Sequence, residues 1–139
     1  MGFLIDTCIW IDLERGVISP ADIAGYTGEE AVHISPVVIA ELTFGAEMAA
    51  KEEIRIRRLT AIERLKEKPF VLIDQKTGEI FGKLAATLRR EGKDHKYRIQ
   101  DLWLASQAIR YNLRLLTKNP KDFEDISGLE IADFKPMIV

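Results

Sequence analysis

The chain has 139 residues, 47% of them hydrophobic, and a formal net charge of −2 at pH 7. That length fits one domain with one core, and the weak negative charge excludes a general attraction to nucleic acid or anionic membranes, so nucleic-acid binding requires a local basic patch or a bound metal. A single cysteine, Cys8, excludes an intrachain disulfide, no apolar run approaches the ~20 residues of a membrane span, and "MGFLID" meets an acid before a leader-like core forms, so a cytoplasmic protein without membrane contact is expected.

Phe3 to Ile5 reads as a short buried strand, and "CIWIDLERG" as a short helix ended by Gly16. Ser19-Pro20 starts another helical turn. "AVHIS" is a second strand. Pro36 opens a helix to about Ala50, and "KEEIRIRRLTAIERLKEK" follows as a charged amphipathic helix that Pro69 stops. "FVLID" is a third strand, Gln75 to about Glu91 a helix, and "REGKDHKYR" a polar, basic loop. Ile99 to Tyr111 is a helix, "LRLLT" a strand, "NPKDF" a short helix start and "LEIAD" a last strand, with residues 136–139 as a tail or edge strand. Strands alternating with helices predict one α/β domain over residues 1–135, with a mostly parallel sheet of about four to five strands covered on both faces. Sites in such sheets form beyond the carboxyl ends of the strands. Asp6 follows the first strand and Thr117 ends the "LRLLT" strand, which points to a shared site.

Asp6 places a charge between two apolar patterns. Glu41 shares a helical stripe with Val37, Phe44 and Met48, and Asp101 shares one with Leu104, Ala105 and Ala108. The start of a helix also favours an anion at Asp101. A buried carboxylate needs a partner or must become neutral. For one isolated acid, an ion pair or a helix cap is the ordinary partner. Three such acids on three elements, with no matching set of apolar-face lysines or arginines, point instead to a hard divalent cation with oxygen ligands, Mg²⁺ or Mn²⁺.

Other residues carry less. His33 and His95 lack zinc-ligand spacing, and Cys8 has no evident catalytic histidine and reads as a packing residue near the site. No Gly-rich phosphate loop is present. "RIRRLTAIERLKEK" reads as a solvated helix face. "LRREGKDHKYR" leads into Asp101, so Arg89, Arg90, Lys93, Lys96 and Arg98 are candidate phosphate contacts, weighed against an ordinary solvated loop; Lys96 and Arg98 stand nearest to the acid.

With these acids in place, "TKNPKDF" completes a pattern. Nearly the whole chain resembles PIN-domain ribonucleases, in particular the VapC-like toxins of bacterial and archaeal toxin–antitoxin pairs. "LIDTCIWID" resembles the family's opening strand and aspartate, with Thr7 matching and Cys8 where Asn is common. "ISPVVIAELTFGA" resembles the segment of the family glutamate, matched by Glu41, and "RIQDLWLASQAI" the third acid's helix, matched by Asp101. "LLTKNPKDF" resembles the closing element, matched by Thr117, Asn119, Asp122 and Phe123.

The resemblance implies a three-layer α/β/α PIN-like fold. It implies that Asp6, Glu41, Asp101 and Asp122 are catalytic and hold Mg²⁺ or Mn²⁺, that a metal-activated water attacks an RNA phosphodiester, and that Thr7, Thr117 and Asn119 orient the ligands. It also implies a VapB-like antitoxin whose peptide lies beside the site, a homodimer, and DNA contact only through the antitoxin. One rival is a binding module that works in an antitoxin–operator DNA complex with little nuclease activity; a complete acid set argues against it. Another is a haloacid-dehalogenase-like phosphatase, which needs a second Asp two positions after the first, where Cys8 stands. Asp122 also has a local reading, as part of a capping box begun by Asn119.

Overall fold

The computed structural model describes residues 1–135. The tail or edge strand expected at residues 136–139 lies outside them. Four parallel strands form the sheet: β1 (Phe3–Ile5), β2 (Val32–His33), β3 (Arg114–Thr117) and β4 (Ile131–Asp133), in the order β2-β1-β3-β4. Six α-helices among the described residues complete the α/β/α layers: α1 (Thr7–Glu14), α2 (Pro20–Thr27), α3 (Pro36–Glu47), α4 (Glu52–Leu65), α5 (Gln75–Arg90) and α6 (Ile99–Arg110). Helix α3 packs on α4, α5 on α6, and α6 against β1 and β3. Leu4, Ile5, Leu115 and Leu116 are fully buried, as expected of central strands covered on both faces.

Local chemistry sets the helix starts. Ser19 and Ser35 each cap a helix whose first residue is proline. Ser19 closes a capping box with Asp22 and makes α2 a full helix rather than a single turn. Gly16, at φ 75°, supplies the left-handed residue after α1.

The expected third strand at "FVLID" does not form. Only Phe70 bridges to Ile34, although the Val71 N–H still donates to the Ile34 carbonyl. The carbonyls of this segment go to side chains instead: Gln107 Nε2 donates to Val71 and the Tyr111 hydroxyl to Leu72. Backbone groups satisfied in this way have no need of a ladder.

From β1 the chain crosses to β2 on one side, while β3 pairs on the other. That reversal of strand order is where a crevice opens at the carboxyl ends of a parallel sheet. Asp6 follows β1 directly and Thr117 closes β3, so the topology alone brings them to one place.

Candidate active site

Asp6 occupies the single position between β1 and α1, and only 8% of it is exposed. Its extended backbone makes it the N-cap of α1, and its Oδ1 accepts from the Thr7 N–H at 2.8 Å. Its Oδ2 accepts from Thr117 Oγ1 at 2.8 Å and, more weakly, from Cys8 Sγ at 3.5 Å. Three protein donors therefore replace water around this carboxylate, a stabilisation that the sequence alone does not reveal. Thr117 is fully buried, and its oxygen also accepts from the Asn119 N–H at 3.0 Å. Burial, and then the Asp6 charge, push the Cys8 thiol up to about 11. Cys8 thus stays protonated and serves Asp6 as a donor, which is more than packing.

Thr7 joins Asp6 to Glu41. Its N–H holds Asp6, and its hydroxyl donates to Glu41 Oε1 at 3.0 Å. Glu41 is half-buried, and desolvation raises its pKa, with the Asp6 charge adding a smaller push and the Thr7 hydrogen bond opposing. The stripe it shares is not the core face of α3. Phe44 and Met48 are 69% and 68% exposed, whereas the buried residues are Val38 and Ala46. This helix is apolar nearly all round, so periodicity alone does not pick its inner face.

Asp101 lies in the first turn of α6, half-buried, above the fully buried Leu104, Ala105 and Ala108. Burial is the main force that pushes its carboxyl up to about 6; the charges of Asp6, Asp122 and Glu41 add to it, and Arg98 opposes. Asp101 thus feels the charges of the other three acids, and Glu41 feels that of Asp6. Asp122 ends a short 3-10 turn, Pro120–Asp122, and is exposed. The capping box considered for it is not formed, since Asn119 makes no side-chain cap hydrogen bond. The Asn119 N–H turns back to Thr117 instead.

Lys96 is exposed, and with Arg98 and Asp101 it lines an opening of about 350 Å³. Arg98 has protein partners: its guanidinium grips Asp125 through both terminal nitrogens, at 2.7 and 2.8 Å. That pair, helped by Lys93, draws the Asp125 carboxyl down to about 2. Asp125 carries no motif that marks it in the sequence.

Residues 3–129 match the profile of the PIN domain. The chain belongs to the PIN-domain family. Within that family it is VapC-like. It is 38% identical over 136 residues to Ribonuclease VapC1 of Rickettsia felis (strain ATCC VR-1525 / URRWXCal2), covering 94% of this chain and 95% of that one. Identity to Ribonuclease VapC of Rickettsia bellii (strain RML369-C) is 36% over 133 residues, with the same coverage. Among solved structures, VapBC-1 from nontypeable Haemophilus influenzae superposes with a TM-score of 0.78 at 31% identity, covering 96% of this chain and 98% of that one. VapBC from Salmonella typhimurium, solved bound to DNA, has the same fold at a TM-score of 0.82 and 23% identity, covering 97% and 99%.

Among the described residues of this PIN domain, no three Asp, Glu, His or Cys side chains stand close enough, as placed, to grip one ion. The acid set fits a hard divalent cation in chemistry and charge: its donors are carboxylate oxygens, and Asp101 and Glu41 are raised by burial and neighbouring negative charge. Arg98, the cation that acts on Asp101, is turned toward Asp125. No helix among the described residues is long and apolar enough to cross a membrane.

Proposed function

We propose that this VapC-like PIN domain is a Mg²⁺- or Mn²⁺-dependent endoribonuclease acting as the toxin of a toxin–antitoxin pair. The observation that carries the reading is Asp101, whose carboxyl is raised to about 6 by burial and by the charges of Asp6, Asp122 and Glu41, beside a β1/β3 switch point where Thr7 links Asp6 to Glu41. Asp6, Glu41, Asp101 and Asp122 would hold the ion. When bound, it supplies an activated water and charge stabilisation at the attacked phosphate. Thr7 and Thr117 hold Glu41 and Asp6 in place through their hydroxyls. Asn119 shapes the turn from β3 toward Asp122 through its backbone bond to Thr117. Lys96, exposed at the opening it shares with Asp101, meets the RNA backbone as a mobile point charge.

The partner follows from a second surface. A groove of about 880 Å³ between α1, α2 and α4 is lined by Trp10, Leu13, Ile18, Ile23, Ala61 and Leu65. Trp10 also lines a smaller recess shared with Glu41 and Arg58, so the groove adjoins one of the site acids. A VapB-like antitoxin segment lies in it, and DNA is met only through that antitoxin; VapBC2 from Rickettsia felis and VapBC from Salmonella typhimurium were each solved bound to DNA. The chain pairs with a second copy, for which the exposed Phe44, Met48 and Ile56 supply apolar surface.

The test is cleavage of single-stranded or looped RNA by purified protein in Mg²⁺ or Mn²⁺ and in EDTA, beside the Asp101→Asn variant. Cleavage that needs the metal and Asp101 is expected. Equal cleavage in EDTA, or by the variant, would overturn the reading. Expression in a bacterial host should arrest growth, with relief by a co-expressed antitoxin.

A further inference from the structure

Arg98, which the sequence offers as a phosphate contact, and Asp125 have no part in the metal site proposed above. Arg98 closes the 3-10 turn His95–Arg98 that leads into α6. Its Nη1 donates to Asp125 Oδ2 at 2.7 Å and its Nη2 to Asp125 Oδ1 at 2.8 Å, a two-pronged pairing that fixes the guanidinium plane. The same Nη2 donates to the backbone carbonyl of Asp122 at 2.5 Å. Lys93 Nζ reaches Asp125 Oδ2 at 3.2 Å, so the whole α5–α6 connection is tied to this one carboxylate. Both paired side chains are partly buried, at 22% and 24% exposure, which sets the pair apart from a fully solvated surface bridge.

The geometry has a direct consequence for the acids. Arg98 and Asp101 are three residues apart at the start of α6, on one helical turn. The fork that holds the Asp122 backbone therefore springs from the turn that carries Asp101. The Pro120–Asp122 turn is short and has no side-chain cap of its own. Its other ties are the backbone bonds of Asp122 and Phe123 and the burial of Phe123. The two backbone bonds close within the turn itself, and Phe123 anchors it in the core that also holds Leu102, Leu104 and Ala105 of α6, so the fork is the one polar tie among the described residues between the Asp122 backbone and the start of α6.

We propose that Arg98 and Asp125 are positioning residues: their fork sets the Pro120–Asp122 turn against the start of α6, so that Asp122 is presented to Asp101 as a metal ligand. Arg98 then acts within the protein and leaves phosphate contact to Lys96. The inference rests on the metal-dependent reading above.

Asp125→Asn is close to isosteric, weakens the fork and frees Arg98. Mn²⁺ binding by calorimetry, RNA cleavage kinetics and melting in EDTA separate the possibilities. Positioning predicts a loss of about 10-fold or more in Mn²⁺ affinity and in kcat, with KM within about twofold of wild type. Arg98→Lys keeps the charge but loses the planar fork, and the same losses are expected of it; it also keeps the test decisive if Asp125→Asn folds poorly. A fall in KM with a steeper salt dependence and intact kcat in Asp125→Asn would make Arg98 a phosphate contact and overturn the proposal. Wild-type behaviour in Arg98→Lys would overturn it too. So would a lower melting point with unchanged Mn²⁺ affinity in either variant, because the pair would then be merely structural. Wild-type protein that binds no Mn²⁺ brings down the metal reading itself, and this inference with it; Mn²⁺ binding intact in both variants brings down this inference alone.

Discussion

Asp6 and Asp101 are carboxylates partly or wholly withdrawn from water at the same site, yet they are held in opposite ways. Asp6 is more deeply buried and rests in protein donors: the Thr7 N–H, the Thr117 hydroxyl and the Cys8 thiol. Asp101 is less buried, but burial and three neighbouring acids push its carboxyl up to about 6. One side of the site is satisfied in the folded chain. The other carries an electrostatic cost that a cation would relieve. On the metal-dependent reading proposed above, folding builds the Asp6 side unaided and leaves the Asp101 side for a cation to complete.

Activity should show the largest effect. Asp101→Asn is expected to lower metal-dependent cleavage by about 10²–10³-fold. Thr117→Val only loosens Asp6 and should cost about 10–100-fold. Equal losses in both, read from initial rates on one RNA, would mean that the two sides share a single burden and would break the comparison.

Stability should separate them by sign. Thr117→Val keeps the shape but leaves the Asn119 N–H and one Asp6 oxygen short of a partner, at a cost of about 1–3 kcal/mol with or without metal. Asp101→Asn should do the reverse in EDTA. The Asp101 carboxyl, raised in the folded state to about 6 from 3.8, binds protons more tightly there than in the unfolded chain. Wild-type stability therefore falls as pH rises across that window. The Asn variant escapes that penalty. Its advantage should be absent below about pH 4 and level off above about pH 6, reaching about 1 kcal/mol once solvent screening of a half-exposed group is allowed for. Urea melts at pH 4, 5, 6 and 7.5 read this directly, and an advantage that grows as pH falls would contradict it.

These contrasts mark where the sequence is legible. The parallel sheet follows from alternating strand and helix patterns, and the meeting of Asp6 with Thr117 from strand ends alone. The third strand misleads because "FVLID" has every local mark of one, while the partners of its carbonyls, Gln107 and Tyr111, lie on or just beyond a helix, 36 and 39 residues away. The α3 stripe misleads because a helix apolar on most sides carries no directional signal. The Ser35–Gln107 hydrogen bond, at 2.5 Å, ties the start of α3 to α6 and so sets Glu41 relative to Asp101. A buried Ser–Gln contact spanning 72 residues has no sequence signature. Asp125 is hidden for the same reason: it differs from Glu124 beside it only by the guanidinium that folding brings to it.

Asp122 gives the smallest effect and the finest test, since it belongs to the Asp101 side by charge but is exposed. If it were a helix cap, Asp122→Asn would lower stability equally with and without metal. The cap is not built, because Asn119 offers no side-chain bond to the turn. Its charge instead helps raise Asp101, so removing it in EDTA relieves repulsion. The melting temperature should then stay level or rise by no more than about two degrees. With Mn²⁺ present the order reverses. Ligand binding stabilises by RT ln(1 + [L]/Kd), so a variant with about tenfold weaker affinity gains about 1.4 kcal/mol less than wild type at saturating metal. Four melting curves, two proteins each in EDTA and in Mn²⁺, carry the test. A variant less stable in EDTA that keeps the full metal-induced gain would remove Asp122 from the ligand set. The metal site would shrink to three acids, and the Arg98–Asp125 fork would then hold a turn with no bearing on the ion.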